Sequence, residues 1–278
     1  MKSDCTVTKA VLHGVYILRS TDEPRLEAEL LLAHSLNVSR AWIAAHPEAT
    51  LTEPTITTYN NCLQLRNDGE PLPYLVGYWE FFSIDYAVDK RALIPRPETE
   101  MIVEHALSIA DNHPHTHIVD VGTGCGTIAI ALATNLPNAL LFATDISQDA
   151  LSLAIVNSTS HGVYNRIEFV QADLLTSMGR FDVICANLPY LTTQETGTLV
   201  VGKHEPHIAL DGGANGLNII QQMISTAGTH LNDGGTLLME IGDSSTRILE
   251  MAEFYFGNAD CKLLPDLAGR PRMLQVTT

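Results

Sequence analysis

Basic residues are scarce in this chain of 278 residues: 16 lysines and arginines stand against 32 aspartates and glutamates, a formal net charge of −16 at pH 7. A protein that grips duplex nucleic acid needs a cationic surface to displace phosphate counterions, so nucleic acid is a poor candidate for the main partner. Long apolar runs are also missing. None approaches the roughly 20 residues of a membrane span, and Met1-Lys2-Ser3-Asp4-Cys5 leads into no apolar stretch with a cleavage site; the expectation is a cytoplasmic protein with no membrane contact. The five cysteines, Cys5, Cys62, Cys125, Cys185 and Cys261, are scattered singly, without the close pairs of a zinc knuckle or redox motif, and are read as reduced and structural. There is no internal repeat and no low-complexity tract.

What is present is enough apolar material, 45% of residues, for a substantial core, and a length that predicts two domains. From about Thr8 to Asn67 the apolar spacing is helical: Val11, Leu12, Val15 and Leu18, then Leu26, Leu30, Leu31, Leu32 and Leu36, then Trp42, Ile43 and Ala45. Thr21-Asp22-Glu23-Pro24 reads as a helix start, with acidic residues and an early proline. Gly69, Pro71, Pro73 and Gly77 interrupt the periodicity, and Tyr78 to Val88 alternates as a hairpin or extended linker would. Beyond Thr99, strand-like runs near His117–Val121, Leu140–Asp145, Arg166–Gln171, Phe181–Ala186, Thr236–Ile241 and Met273–Val276 alternate with amphipathic stretches. That pattern predicts an α/β doubly wound sheet. The expected division is a helical domain over 1–73, a hairpin or linker over 74–98 and an α/β domain over 99–278.

Asp120-Val121-Gly122-Thr123-Gly124-Cys125-Gly126 lies between the apolar run Ile118, Val119, Val121 and a second run beginning at Ile128, so it reads as the turn from a buried strand into a helix, with backbone N–H groups facing a ligand. The dinucleotide fingerprint G-x-G-x-x-G would need glycine at Thr127; glycines at 122, 124 and 126 behind Asp120 favour S-adenosylmethionine instead. Asp145 closes the next strand, where a carboxylate can accept both ribose hydroxyls; the alternative is a helix N-cap, a role Ser147 could equally fill. Asp173 closes the third strand and is placed for an adenine amino group, with Leu174 against the ring, unless it is a solvated turn residue.

Asn187-Leu188-Pro189-Tyr190 leaves the carboxyl end of a central strand. An amide or aryl-amine nitrogen has a delocalised lone pair, so a catalyst must hold it in a geometry that frees that pair. The Asn187 side-chain oxygen and the Leu188 main-chain carbonyl can accept from its two N–H bonds, Pro189 stiffens the turn, and Tyr190 offers a flat stacking face. No general base is required. The alternative is a strand-ending turn in which Asn187 caps backbone and Tyr190 is core.

With these residues in view, the chain resembles the release-factor glutamine methyltransferases, class I S-adenosylmethionine-dependent enzymes. The resemblance covers nearly the whole chain: Glu70-Pro71 with Tyr74 and Gly77, Glu80-Phe81, Leu93-Ile94-Pro95-Arg96-Pro97-Glu98-Thr99-Glu100, the glycine turn, Asp145, the tetrapeptide, Glu205-Pro206 with Ala209-Leu210-Asp211-Gly212-Gly213, then Met239-Glu240-Ile241-Gly242 and Asp266-Leu267-Ala268-Gly269-Arg270-Pro271-Arg272. It implies a seven-stranded Rossmann-like catalytic domain behind a helical release-factor-docking domain. It also implies methylation of N5 of the glutamine in the Gly-Gly-Gln motif of peptide chain release factors. The donor would be held by Asp120, Gly122, Thr123, Gly124, Cys125, Gly126, Asp145, Asp173, Leu174 and Asn187, and the glutamine by Arg96, Pro97, Glu98 and residues 187–190. Without the resemblance, Arg96 and Glu98 would read as a solvated linker pair. The family usually carries proline where this chain has Leu188, a small matter for a position that supplies a main-chain carbonyl.

The tetrapeptide alone is shared with adenine-N6 DNA methyltransferases and some ribosomal RNA guanine methyltransferases; the DNA enzymes ordinarily need a target-reading domain and a basic cleft, which the charge balance opposes. A module that merely senses the donor would not need Asn187 and Tyr190. His113, His115 and His117 alternate as metal ligands do on one face of a strand, but Pro114 interrupts them, and no metal is expected. Cys125 is read as a small residue beside the donor.

Overall fold

The computed structural model describes residues 5–111 and 115–278, and the chain divides into two compact units, Met1–Tyr78 and Trp79–Thr278. The first is helical: Val7–Ile17, Pro24–Leu36, Arg40–Ala45, Glu53–Asn67 and Leu72–Val76. Thr6, Ser39 and Thr52 cap three of these helices by accepting from backbone N–H groups three residues on. Pro24 opens the second helix at a position whose N–H has no intrahelical acceptor. The 71–77 segment, read above only as an interruption, is a short helix with Pro71 at its cap, Pro73 in its first turn and Gly77 in the left-handed region at its end. The core of this unit is closed by Tyr59, 1% exposed, whose hydroxyl donates to Ala10 O at 3.3 Å over Gly14, where a Cβ would come within 2.0 Å of the hydroxyl oxygen.

A two-stranded hairpin, β1 (Tyr78–Phe81) and β2 (Ile84–Ala87), begins at the boundary residue Tyr78 and otherwise belongs to the second unit. Seven further strands form one sheet: β3 (His117–Val121), β4 (Leu140–Asp145), β5 (Ile167–Gln171), β6 (Phe181–Ala186), β7 (Leu231–Glu240), β8 (Asp260–Pro265) and β9 (Pro271–Thr277). Their order is β5-β4-β3-β6-β7-β9-β8; the pairings from β5 to β7 are parallel, and those of β9 with β7 and with β8 are antiparallel. β8 was not among the runs expected from sequence, because an edge strand carrying Asp260 and Lys262 buries too little to show a period.

The chain winds outward from β3 through β4 to β5, then returns to place β6 on the other side of β3. The switch point therefore lies between β3 and β6, and the crevice at the carboxyl ends of those strands is where such sheets bind ligands. The side-chain period of two divides each strand between the faces. Val119, Val121, Ile184, Ala186, Leu237, Met239 and Ile241 join the core shared with helices Asn218–His230 and Ser245–Phe256. Asp120, Cys185 and Glu240 consequently face the opposite layer, which holds the helices Glu100–Ala110, Thr127–Asn135 and Gln148–Ser160. Among the described residues no helix is long and apolar enough to cross a membrane.

Candidate active site

β3 and β6 are hydrogen-bonded neighbours with Val121 opposite Ala186, so the segments that follow them meet although they lie far apart in sequence. Gly122, at φ 72°, is the point of contact: a Cβ there would come within 3.1 Å of the Leu188 side chain and 3.6 Å of the Asn187 carbonyl oxygen. Gly122 and Thr123 both donate their N–H to Thr144 O, which ties the turn to β4. Gly126, at φ 92°, starts the helix Thr127–Asn135 against Ala154, whose Cβ would lie 3.1 Å from a Cβ at this position.

A cavity of about 230 Å³ opens over this turn, walled by Gly122, Thr123, Gly124, Cys125, Asp145, Ile146, Asp173, Leu174, Asn187 and the 91–96 loop. A second, of about 260 Å³, lies beside it and includes Tyr190, Leu199, Val201 and Glu240. Leu93, Arg96, Asn187, Leu188, Pro189 and Ala209 belong to both walls, so the tetrapeptide is the junction.

Asp145 accepts from Gly124 N at 3.0 Å on one carboxylate oxygen and from Ser147 N at 2.8 Å on the other. The helix cap is Ser147, which accepts from Ala150 N, and this leaves Asp145 at the cavity wall. Burial raises its pKa above the usual carboxylate value, against the lowering effect of those backbone bonds. Leu174 reaches the same wall with φ at 50°, a left-handed conformation steadied by the Thr144 hydroxyl on its carbonyl.

Asp120 and Gly126 line neither cavity. Asp120, 1% exposed, accepts on Oδ2 from the Thr123 hydroxyl at 2.6 Å and from Ala129 N at 3.1 Å, stapling the glycine turn to the helix behind it; Oδ1 is buried without a partner. Desolvation pushes its pKa up to about 7. Cys125 does reach the wall, but burial holds its thiol at about 12, far from thiolate reactivity.

Leu188 follows the alternation of β6 and packs its side chain into the core at 4% exposure, against Gly122; it lies beyond the last paired residue of the strand, so its carbonyl is outside the ladder. Asn187 turns to the opposite face, where Nδ2 donates to Thr99 Oγ1 at 2.8 Å, and Thr99 Oγ1 in turn donates to Glu240 Oε2 at 2.6 Å. Tyr190 rests on Gly242, where a Cβ would fall 2.9 Å from its ring, and burial raises its hydroxyl pKa to about 12. Gly212 and Gly216 allow the 211–216 loop to pass behind the tetrapeptide, within reach of the carbonyls of Pro189 and Tyr190.

Arg96 lines both cavities and pairs with Glu205, 2.5 Å away and 3% exposed, not with Glu98; Glu205 also accepts from Ile94 N. Pro97 and Glu98 stand on the short 3₁₀ turn leading into helix Glu100–Ala110 and line neither cavity. Thr99, Glu205 and Glu240 received no role from sequence. The available signal was a lone carboxylate, Glu240, at the end of the apolar run Leu237-Leu238-Met239, on the edge of the sheet where ligands bind. His117 begins β3, and its backbone N–H donates to Asp182; His115 is exposed; His113 and Pro114 lie outside the described residues.

A sheet of this order, with a glycine turn after β3, an acid at the end of β4 and an Asn-x-Pro-Tyr segment after β6, defines a class I methyltransferase. Residues 99–203 match the family model described as the methyltransferase small domain, and residues 9–77 match the PrmC N-terminal domain. Among curated proteins, the chain is 39% identical over 259 residues to a release factor glutamine methyltransferase of Koribacter versatilis, covering 91% of each chain. It is 37% identical over 262 residues to that of Chlorobaculum tepidum, covering 89% of this chain and 88% of the relative. A methyltransferase structure from Pyrococcus furiosus shares the fold at a TM-score of 0.51 and 18% identity, over 71% of this chain and 90% of that one. The chain belongs to the release factor glutamine methyltransferase family.

Proposed function

We propose that the protein transfers a methyl group from S-adenosylmethionine to the side-chain amide N5 of the glutamine in the Gly-Gly-Gln motif of peptide chain release factors. The observation that carries this reading is the position of Asn187, at the junction of two cavities, with its amide nitrogen committed to Thr99 and its oxygen left for an incoming N–H. The first cavity suits the donor in chemistry. Asp145 presents carboxylate oxygens to ribose hydroxyls, Asp173 offers an acceptor for an adenine amino group, Ile146 and Leu174 supply apolar walls for a ring, and the glycines keep side chains out of the path.

When bound, the donor supplies a methyl carbon already activated by its sulfonium. The protein's share is then alignment. Asn187 Oδ1 and the Leu188 carbonyl accept from the two N–H bonds of the glutamine amide and hold its nitrogen in line with the methyl group, at the geometry where the lone pair is least delocalised. Tyr190, backed by Gly242, offers a flat wall for the amide plane, and Arg96 with Glu205 fixes the loop that closes both cavities. No carboxylate at the junction has to act as a base before transfer. The proton leaves afterwards, when the nitrogen carries one substituent too many. A release factor as partner would place the protein in the cytoplasm.

The test is incubation with labelled S-adenosylmethionine and a release factor, the same factor with its motif glutamine replaced, or adenine-containing DNA. Label confined to the intact factor is expected; label on DNA, or donor binding without transfer, contradicts the reading. In the same assay Asn187→Ala is expected to bind the donor nearly as well as the parent while turning over about 10²–10³-fold more slowly, the usual loss for one positioned hydrogen bond.

A further inference from the structure

Thr99 opens the helix Glu100–Ala110, a place where a threonine hydroxyl ordinarily accepts from backbone N–H groups of the first turn. It makes no such bond. Thr99 is 3% exposed, and its hydroxyl sits between two side chains brought together by neighbouring strands: Asn187, just past β6, and Glu240, the last residue of β7. All three lie on the same face of the sheet, and Glu240 itself is 4% exposed and reaches the wall of the second cavity.

A carboxamide is almost symmetrical in shape. Flipped, Asn187 would present an NH₂ to the NH₂ of the incoming amide, donor against donor, and the clamp would repel its substrate. Thr99 alone does not prevent this, because a hydroxyl can donate or accept and would satisfy either orientation. A carboxylate can only accept. With Glu240 ionised, the Thr99 proton is committed to Glu240, the Thr99 oxygen can only accept, and Asn187 must turn its NH₂ inward and its oxygen outward. We propose that Thr99 and Glu240 are positioning residues that fix the orientation of the Asn187 carboxamide, so that its oxygen and not its nitrogen meets the substrate amide. The inference rests on the functional reading above and names what makes that clamp one-directional.

A protonated Glu240 lifts the constraint. It can donate to Thr99, which then donates to Asn187 Oδ1, and the whole chain reverses. Burial raises the Glu240 pKa to about 7; Glu98 adds to the rise, whereas the Thr99 hydrogen bond, Arg272 and Arg96 oppose it, and Tyr190, whose own pKa lies at about 12, is neutral throughout this range. Turnover is therefore expected to rise with pH across neutrality. Asp120 titrates in the same range but faces the glycine turn, so only the Glu240→Gln comparison assigns the midpoint.

The experiment measures kcat and KM for a release factor between pH 6 and 8.5, together with donor affinity and thermal unfolding, in the parent protein and in Thr99→Ser, Thr99→Val and Glu240→Gln. The expected result has four parts. The parent's kcat falls below neutrality, Thr99→Ser keeps the parent's values, and Thr99→Val loses about 10²-fold in kcat with KM and donor affinity nearly unchanged. Glu240→Gln, which can donate as well as accept, loses roughly two- to tenfold in kcat, the share of molecules in the reversed orientation, and its pH profile is flat. Folded Thr99→Val or Glu240→Gln proteins with the parent's kcat and pH profile overturn the inference while leaving the functional reading intact. If both variants unfold, a parent kcat that does not change between pH 6 and 8.5 overturns it. A parent protein that methylates no release factor overturns the functional reading instead, and this inference with it.

Discussion

A buried carboxyl without a full set of partners makes a protein sensitive to base, and Asp120 is the clearest case here, with Oδ1 unpaired and a pKa pushed up to about 7 by desolvation. A group whose pKa is raised on folding holds its proton more tightly in the native state. Its stabilising contribution is complete below the unfolded value near 4 and is lost as pH rises through about 7. Asp120→Asn cannot ionise, so its melting temperature is expected to fall less between pH 5 and 8 than the parent's, with about 2–4 °C gained at pH 8 for each kcal/mol recovered. Glu240 has a shift of the same sign, so the slope decreases without vanishing. Identical slopes in parent and variant, followed by thermal unfolding, would mean that Asp120 is already ionised in the fold at pH 5. The acid before the glycines was legible in the sequence as part of the donor turn. Its role as a staple behind that turn was not, because only the pleat of β3 decides which face it takes.

Among the elements, the helices of the first unit are held by packing and by ion pairs between them, of which Arg66–Glu27 is the most buried and Arg40–Glu29, at 3.5 Å, lies more exposed. Arg66 on Glu53–Asn67 makes a bidentate contact with Glu27 on Pro24–Leu36, at 2.8 and 3.0 Å, and also donates to Glu70 O. Glu27 is 8% exposed and the Arg66 side chain 22%, so Glu27→Ala leaves a partly buried guanidinium without its Glu27 carboxylate, though it keeps the Glu70 carbonyl as acceptor. The expected loss is about 2–3 kcal/mol in denaturant unfolding, somewhat below that of a fully buried pair because Arg66 keeps contact with water. Replacing both residues by methionine is expected to recover most of it; a single mutant as stable as the parent would show that the pair contributes nothing. Periodicity revealed the long helices and the parallel strands, since each buries a broad apolar face. It missed β8, an edge strand, and the helix Leu72–Val76, whose two prolines imitate a linker although both sit where their missing N–H is harmless.

For the molecule as a whole, the order of the sheet converts two separated motifs into one site. The glycine turn and the tetrapeptide were each readable, because each joins a buried strand to a ligand-bearing edge. Their contact follows from β3 and β6 being neighbours, which no local pattern states. The partners that orient the clamp, Thr99 and Glu240, were hidden for the same reason: one imitates a helix cap and the other reads only as the last residue of a strand. The net charge of −16 also acts at this level. Association with a release factor that docks through a basic patch is expected to slow as ionic strength rises, with turnover at saturating factor little changed. An association rate independent of salt in stopped-flow measurements would remove the steering role.

The arrangement of the two oxygens around a glutamine amide is open to direct observation. In a crystal of the protein with S-adenosylhomocysteine and a peptide carrying Gly-Gly-Gln, the amide nitrogen is expected about 3 Å from both Asn187 Oδ1 and the Leu188 carbonyl, facing the donor's sulfur, with Asn187 Nδ2 still on Thr99. A glutamine amide seated elsewhere, or an Asn187 that turns its nitrogen toward the peptide, would contradict the mechanism.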